Sequence, residues 1–434
     1  MTSRAQTFRY LGLDVGDHEL VGHYQLDDRR FHERVDFDSS LQLDSPAVGA
    51  VAHLWYLVAG LSYYKAGAAR RVDLGATPVG SAGRSLFEAA LHDGLGEFSF
   101  RNELPLDDVE IVGGVGGVGG VGGVASAPLL DHQRVLIPFG GGVDSVVTVT
   151  QLNAQLDRAL FVVSPSSGRF DPLEATAAVT GLEVVRATRF LDPQLLAGDA
   201  SFWRGHVPVT TMVTLLAAVA ALASGRGAVV MSNERSSSVP NVRWRGADVN
   251  HQWSKSWAAE VLVGAALAEL VGSDFTVASY LRNRSELWVA EVFSRYPAYH
   301  RVFRSCNRAF THDTARRATQ WCGHCDKCLF VNLILAPFLA RADLLELFGS
   351  EPLSDPSLEP QLRTLVGLGV EHKPFECVGD PDESAAALER VATLPAWRDV
   401  GHLVAVARTL RPRVSFSDLL EPRGASRVPA HWLR

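Results

Sequence analysis

Cysteine is scarce, five in 434 residues, and all five lie beyond residue 300, at Cys306, Cys322, Cys325, Cys328 and Cys377. Three of them fall within "CGHCDKC", too crowded for a disulfide framework in a chain of this size. That crowding turns the reading to metal or redox chemistry in a reducing compartment. Basic charge is not in excess, with 41 Lys and Arg against 48 Asp and Glu and a net charge of -7, so nothing electrostatic suggests a nucleic-acid partner. A short run such as "AARR" (68–71) reads as a solvated face. No strongly apolar stretch reaches the roughly 20 residues of a membrane span. The greasiest run, "VPVTTMVTLLAAVAALASG" (207–225), is interrupted by threonines and rich in alanine, and reads as a buried helix. The opening "MTSRAQTFRYLGLD" has no apolar core after its arginine, so no secretory signal is expected. A cytoplasmic protein with neither membrane nor nucleic-acid partner is the expectation, and the oligomeric state is not legible. What remains, 47% hydrophobic and 21% charged, is an ordinary globular composition at a length for two or three domains.

Patterning divides the chain. Residues 7–37 alternate strand-like runs with Gly-Asp and Asp-Asp turns, which predicts antiparallel strands. Helical stretches follow at 47–69 and 83–95, so residues 1–112 read as an α+β domain. Four "GGV" repeats (113–124) carry no polar partner and no helix signal, and residues 113–127 read as a flexible linker. From 128 to 280, "RVLIPF", "RALFVVS", "LEVVRA" and "GAVVMS" alternate with helical stretches at 145–157, 171–180 and 209–224, the pattern of a parallel, doubly wound sheet. Residues 281–434 read as mainly helical, with a Cys-rich loop.

"VLIPFGGGVDSVVTV" (135–149) is strand, glycine loop, helix start. In that setting backbone N–H groups form an anion nest and the new helix presents its positive end. No Gly-Lys-Ser/Thr follows, so it is not a Walker A loop, and the glycine spacing is wrong for a dinucleotide fingerprint. The loop resembles the PP-loop of the ATP pyrophosphatase superfamily, Ser-Gly-Gly-x-Asp-Ser, with Gly140 in the leading serine position before Gly141, Gly142, Val143, Asp144 and Ser145. That resemblance implies a PP-loop (adenine nucleotide alpha hydrolase-like) α/β core that cleaves ATP between its α and β phosphates. Val143 stands where a phosphate-binding lysine is expected, which predicts that another cation serves the pyrophosphate.

Further polar islands follow the strands. "VVMSNERSSS" (229–238) ends a strand, which places Asn233, Glu234, Arg235 and Ser236 where open α/β sheets bind ligands. "VNHQWSKSWAAE" (249–260) is dense in groups that bind or move protons, among them Asn250, His251, Gln252 and Lys255. "SCNRAF" and "WCGHCDKCLF" bring Cys306, Cys322, Cys325 and Cys328, a set suited to a structural zinc, with free thiols or a cluster as the alternatives. "HKPFECVG" (372–379) pairs His372 and Lys373 with Glu376 and Cys377.

These islands, together with "AGLSYYKA", "GLGEFSFRN", "GHVPVT" and "RSEL", run in order across the chain and resemble one family. It is the ATP-dependent UDP-N-acetylmuramoyl-L-alanyl-L-glutamate epimerases of peptidoglycan synthesis. The resemblance implies inversion of a terminal L-Glu to D-Glu with ATP and magnesium, releasing AMP and pyrophosphate, on a small-molecule UDP-muramoyl dipeptide. The chemistry is coherent, because an acyl-adenylate removes the carboxylate charge that makes the neighbouring Cα–H a poor acid. On this reading Gly140, Gly141, Gly142, Asp144 and Ser145 bind the nucleotide, and Asp144 helps to place magnesium. Glu234, His251, Lys255 and Cys377 are the candidates for proton transfer, in no order. Lys65, Arg101, Arg235 and Lys255 would meet the substrate's anionic groups, with Asn233, Ser236, Asn250 and Gln252 beside them. The alternatives are another PP-loop enzyme, such as a deazapurine nitrile synthase-like amidating or thiolating one, and a non-catalytic nucleotide-binding protein.

Overall fold

A computed structural model describes residues 3–116, 130–306, 308, 320–369 and 372–434. The expected antiparallel run is there: β1 (Thr7–Val15), β2 (Glu19–Leu26) and β3 (Arg29–Phe37) form a meander. In β2 every second residue is buried, in the order Leu20, Gly22, Tyr24, Leu26. A Cβ on Gly22 would lie 2.8 Å from Tyr56, so glycine is what lets the overlying helix reach the sheet. That helix, α1 (Pro46–Ala59), continues at a joint into α2 (Leu61–Gly67). Tyr24 stacks against Tyr56 and Tyr63 with ring centroids 5.0 Å apart, and the Tyr10 hydroxyl donates to the Leu57 carbonyl at 2.6 Å. By length and composition Pro46–Gly67 could cross a membrane, yet 89% of its most apolar window is buried inside the protein.

Short strands β4 (Arg71–Asp73) and β5 (Glu110–Val112) extend the far edge, with α3 (Ser81–His92) and α4 (Gly96–Arg101) between them. The first glycine repeat is anchored: Val115–Gly116 pairs with Pro78–Val79. Residues 117–127 of the expected linker lie outside the described residues.

The second half of the sheet is parallel. Strands β6 (Asp131–Pro138), β7 (Asp157–Pro165), β8 (Glu183–Phe190), β9 (Arg226–Met231) and β10 (Thr276–Ser279) lie in the order β10-β9-β6-β7-β8. Counted along the chain this is 5-4-1-2-3, a doubly wound order that reverses between β6 and β9. Alternate residues face opposite cores, which is why these runs read as continuously apolar. Leu136, Phe161 and Val229 join α1, α7 (Val209–Ala223) and α8 (Trp257–Val271) in one core. Val135, Leu160 and Val230 join α5 (Val143–Gln151), α9 (Glu286–Ser294) and α10 (Asp326–Leu335) in the other, with α6 (Asp171–Thr180) at its margin. Helix α5 stops short of the expected residue 157, because Asn153 Oδ1 accepts the Gln155 N–H at 3.0 Å and turns the chain into β7. Beyond β10 the described residues form helices and loops, among them α11 (Pro381–Thr393).

One strand pairing joins the two halves of the sheet. Strand β8 pairs antiparallel with β3, so all ten strands make a single mixed α/β sheet. The division expected between residues 112 and 128 therefore separates stretches of chain rather than sheets. Across the seam the Arg189 guanidinium meets the fully buried Glu33 carboxylate at 2.5 and 3.2 Å. Removing one partner of a buried pair strands the other charge, at a cost of roughly 3–5 kcal/mol. Glu33→Ala is accordingly expected to lower the urea midpoint of the whole chain in one transition. A loss below about 1 kcal/mol, the scale of an exposed pair, would contradict a seam held by this contact.

Candidate active site

Ligands of open α/β sheets gather where the strand order reverses. Here that point lies beyond the carboxyl ends of β6 and β9, the two places where the chain puts its glycine loop and its "SNERS" run. Gly142 caps α5, Gly141 takes the left-handed φ of +71°, and the Ser145 hydroxyl donates to the Gly142 carbonyl at 3.0 Å. A Cβ on Gly142 would sit 3.0 Å from Ser305 Oγ, so a second segment lies directly on the loop. The backbone N–H groups and the positive end of α5 make this an anion cradle. Val143 packs into the second apolar core and offers no charge.

Three carboxylates converge beside the cradle. Asp144 comes from the first turn of α5, Glu234 from the end of the β9 loop, and Glu286 from the first position of α9 behind its Ser285 cap. One oxygen from each lies within 4.8 Å of the others. Burial, then the Glu234 charge, pushes Asp144 up to about 6, and burial followed by Asp144 and Glu234 holds Glu286 well above its usual range. Buried carboxylates in mutual repulsion are the donor set of a hard divalent cation. The buried Arg282 guanidinium braces them, bonding Glu260 at 2.9 Å, the Glu234 carbonyl at 3.0 Å and the Lys255 carbonyl at 2.7 Å.

On the other side of Lys255 lies a thiol. Lys255 Nζ is 3.7 Å from Cys377 Sγ, and His251 Nε2 is 4.0 Å from the same sulfur. His251 Nδ1 is held by Glu97 at 2.5 Å, giving an acid–imidazole–thiol series, with the His206 ring 4.4 Å from that of His251. Burial would raise the Cys377 thiol, but Lys255, the His251 hydrogen bond and Lys327 bring it down to about 6. Burial would likewise depress His251, and its bonds to Cys377 and Glu97 lift it to about 9. Cys377 and His251 therefore rest as a thiolate–imidazolium pair at neutral pH. Lys255 is raised chiefly by that thiolate, with Glu234, Asp144 and Glu286 adding to it against desolvation, so one ammonium links the two acidic groups.

The remaining expected site residues divide by what they touch. Arg235 is paired with the buried Glu383 at 3.2 Å, and Glu383 also accepts the Glu286 N–H at 2.8 Å. Asn250 has both ends of its amide engaged, on the Ser237 carbonyl and the Gln252 N–H, and the Gln252 amide donates to the Val378 carbonyl. These two tie the loops of the site together. The Ser236 hydroxyl reaches Glu234 at 3.5 Å, and Asn233 is buried next to it. Lys65 donates to the Gly205 carbonyl at 2.7 Å, on the His206 side. Arg101 pairs with Glu97 at 2.6 Å and lies over the Phe375 ring. It lines a cleft of about 650 Å³ with Phe100, Arg363, His372 and Phe375. Glu97, His206, Glu286, Lys327 and Ser305 belong to this centre and were not singled out by residue type. Cys306, Cys322, Cys325 and Cys328 converge as expected, each sulfur within 4.8 Å of the others.

Fold and site together define a doubly wound α/β protein with an anion cradle, an acid cluster and an activated thiol at its switch point. The chain belongs to the MurL family: a model described as the MurL N-terminal domain matches residues 1–280, and one described as the MurL C-terminal domain matches residues 302–418. A Micromonospora protein is 39% identical over 99% of this chain and 97% of its own length, and one from Salinispora tropica is 36% identical over 99% and 94%. A Xanthomonas oryzae protein is 34% identical over 90% of this chain and 86% of its own. All three are named UDP-N-acetyl-alpha-D-muramoyl-L-alanyl-L-glutamate epimerase. No solved structure matches the chain.

Proposed function

We propose that this chain is an ATP-dependent epimerase, an isomerase of peptidoglycan synthesis. It converts the terminal L-Glu of a UDP-N-acetylmuramoyl-L-alanyl-L-glutamate to D-Glu, releasing AMP and pyrophosphate in the cytoplasm. The observation that carries the reading is the adjacency of an anion cradle and a thiolate held by two cations, joined through Lys255. The relatives' shared name supports the substrate.

On this reading the core is of the PP-loop kind. ATP lies with its pyrophosphate end on Gly140, Gly141, Gly142 and Ser145, and the glutamyl carboxylate attacks the α-phosphorus. Asp144, Glu234 and Glu286 would hold magnesium, which when bound would supply positive charge to the departing pyrophosphate. The cation absent at Val143 is Lys373, whose Nζ is buried without a hydrogen-bond partner among the described residues and lies in the field of Asp380, Glu234, Glu383 and Glu286. The acyl-adenylate turns a charged carboxylate into an electron-accepting carbonyl, and the Cys377 thiolate takes the Cα proton. Cys377 and His251 lie 4.0 Å apart, so they serve one face of the glutamate together, and a second, solvent-derived proton is delivered to the opposite face to give the inverted Cα. Hydrolysis of the adenylate then frees the D-epimer. The cleft lined by Phe100, Arg101, Arg363, His372 and Phe375 suits the nucleotide-sugar end, with aromatic faces for a base and guanidiniums for a diphosphate.

In deuterated water with ATP, magnesium and the muramoyl dipeptide, AMP should form together with deuterium at the glutamyl Cα, read by mass spectrometry. AMP release without exchange would leave an adenylating enzyme and remove the epimerase.

A further inference from the structure

Cys306, Cys322, Cys325 and Cys328 form no disulfide, although Cys322 and Cys325 sulfurs lie only 3.6 and 3.5 Å from that of Cys328. Those separations are near the edge of a thiolate tetrahedron, about 3.8 Å for metal–sulfur bonds of about 2.3 Å. Cys306 and Cys328 are fully buried, and Cys325 caps α10 with its sulfur accepting the Cys328 N–H at 3.4 Å. A thiol is a weak hydrogen-bond partner, so four of them packed together gain little unless a soft cation takes their charge.

We propose that these four cysteines bind one zinc ion with every coordination position filled, and that the metal positions two segments of the active site. Each segment is bonded to the cluster through neighbouring residues. Ser305, next to Cys306, lies on Gly142 of the glycine loop. Lys327, between Cys325 and Cys328, sends its ammonium to the Cys377 carbonyl, and its N–H donates to Glu376 at 3.2 Å. Zinc thus fastens the phosphate cradle and the thiol-bearing loop to one point from two sides. Ser305 and Lys327 are positioning residues on this account, and the second half of it rests on the nucleotide reading of the loop.

Metal content tests the first half without a variant. The purified chain should carry one equivalent of zinc by mass spectrometry, kept through dialysis against EDTA, and cobalt-grown protein should show thiolate-to-cobalt charge-transfer bands. Asp144→Asn should keep that zinc, whereas Cys325→Ser should lose it. Protein without zinc that takes up neither metal after refolding overturns the site, as would zinc lost on Asp144→Asn. For the second half, zinc-free Cys325→Ser should bind ATP at least roughly tenfold more weakly, the usual effect of losing an orienting shell. Should that variant be insoluble, wild-type protein refolded without zinc gives the same reading, through weaker ATP binding and slower alkylation of Cys377 at neutral pH that added zinc reverses. Unchanged ATP affinity with unchanged alkylation overturns the positioning role. Zinc present in a chain that never releases AMP would leave the metal site standing and the nucleotide reading fallen.

Discussion

Cys377→Ala is expected to remove deuterium uptake at the glutamyl Cα while AMP and pyrophosphate are still released. A positioned proton-transfer group contributes about 10²–10⁴-fold, so exchange should fall at least that far. Adenylation should survive, because the carboxylates and the glycine loop meet the phosphates without this sulfur. The pH profile separates this from simple structural damage. With the thiol held down to about 6 and His251 lifted to about 9, wild-type exchange should be bell-shaped between those values. Below the lower limit the sulfur carries a proton and cannot accept another. Above the upper one His251 loses its charge, and the thiolate loses a partner 4.0 Å away. At saturating magnesium, which would keep Asp144 ionised, residual exchange in Cys377→Ala should lack the acid limb. Alkylation of the wild-type residue should show the same midpoint near 6, against about 8.5 for an ordinary thiol. Exchange at the wild-type rate in the variant would assign the base elsewhere.

How much of this could be read beforehand depends on where a residue's role is written. The glycine loop, the polar run after β9 and the Cys-rich loop declare themselves through local pattern, and each sits where its pattern implies. Glu286 does not, because an acid one position after a serine cap is what any helix start offers. Glu97 is hidden in the same way, spaced four residues from Arg101 like a surface ion pair, while its second oxygen holds His251 from far along the chain. The seam between β3 and β8 is invisible for a related reason. Strand pairing across 150 residues leaves no local trace, and a glycine-rich stretch between the two segments reads as a boundary. Arg235 and Asn250 carry a scaffold role that their residue types do not announce: one guanidinium nitrogen is bonded to Glu383, and the Asn250 amide ties two loops.

Asp144→Asn should cut pyrophosphate release by about 10²–10³-fold, the scale of losing one electrostatic contact to the transition state, and should at the same time make the chain more stable. The second half of that expectation is what makes the first informative. Asp144 is raised to about 6 in the fold, by burial and by Glu234, from an unfolded value near 4. A raised carboxylate costs stability once the pH exceeds the unfolded value, and the cost is complete above the folded one. At pH 8 the ionised Asp144 therefore opposes folding, and a neutral amide of the same shape does not. Glu286, raised partly by Asp144, is relieved as well. The melting temperature of Asp144→Asn in EDTA should exceed that of the wild type at pH 8, and the gap should close as the pH falls below about 4, where the carboxyl is neutral in both states. Magnesium should raise the wild-type midpoint and leave the variant nearly unmoved. A side chain kept for packing would show the opposite, a variant that is less stable and still active. Three acids held together beyond the strand ends, with the Lys255 ammonium already beside them, cost the fold stability that a further bound cation would return.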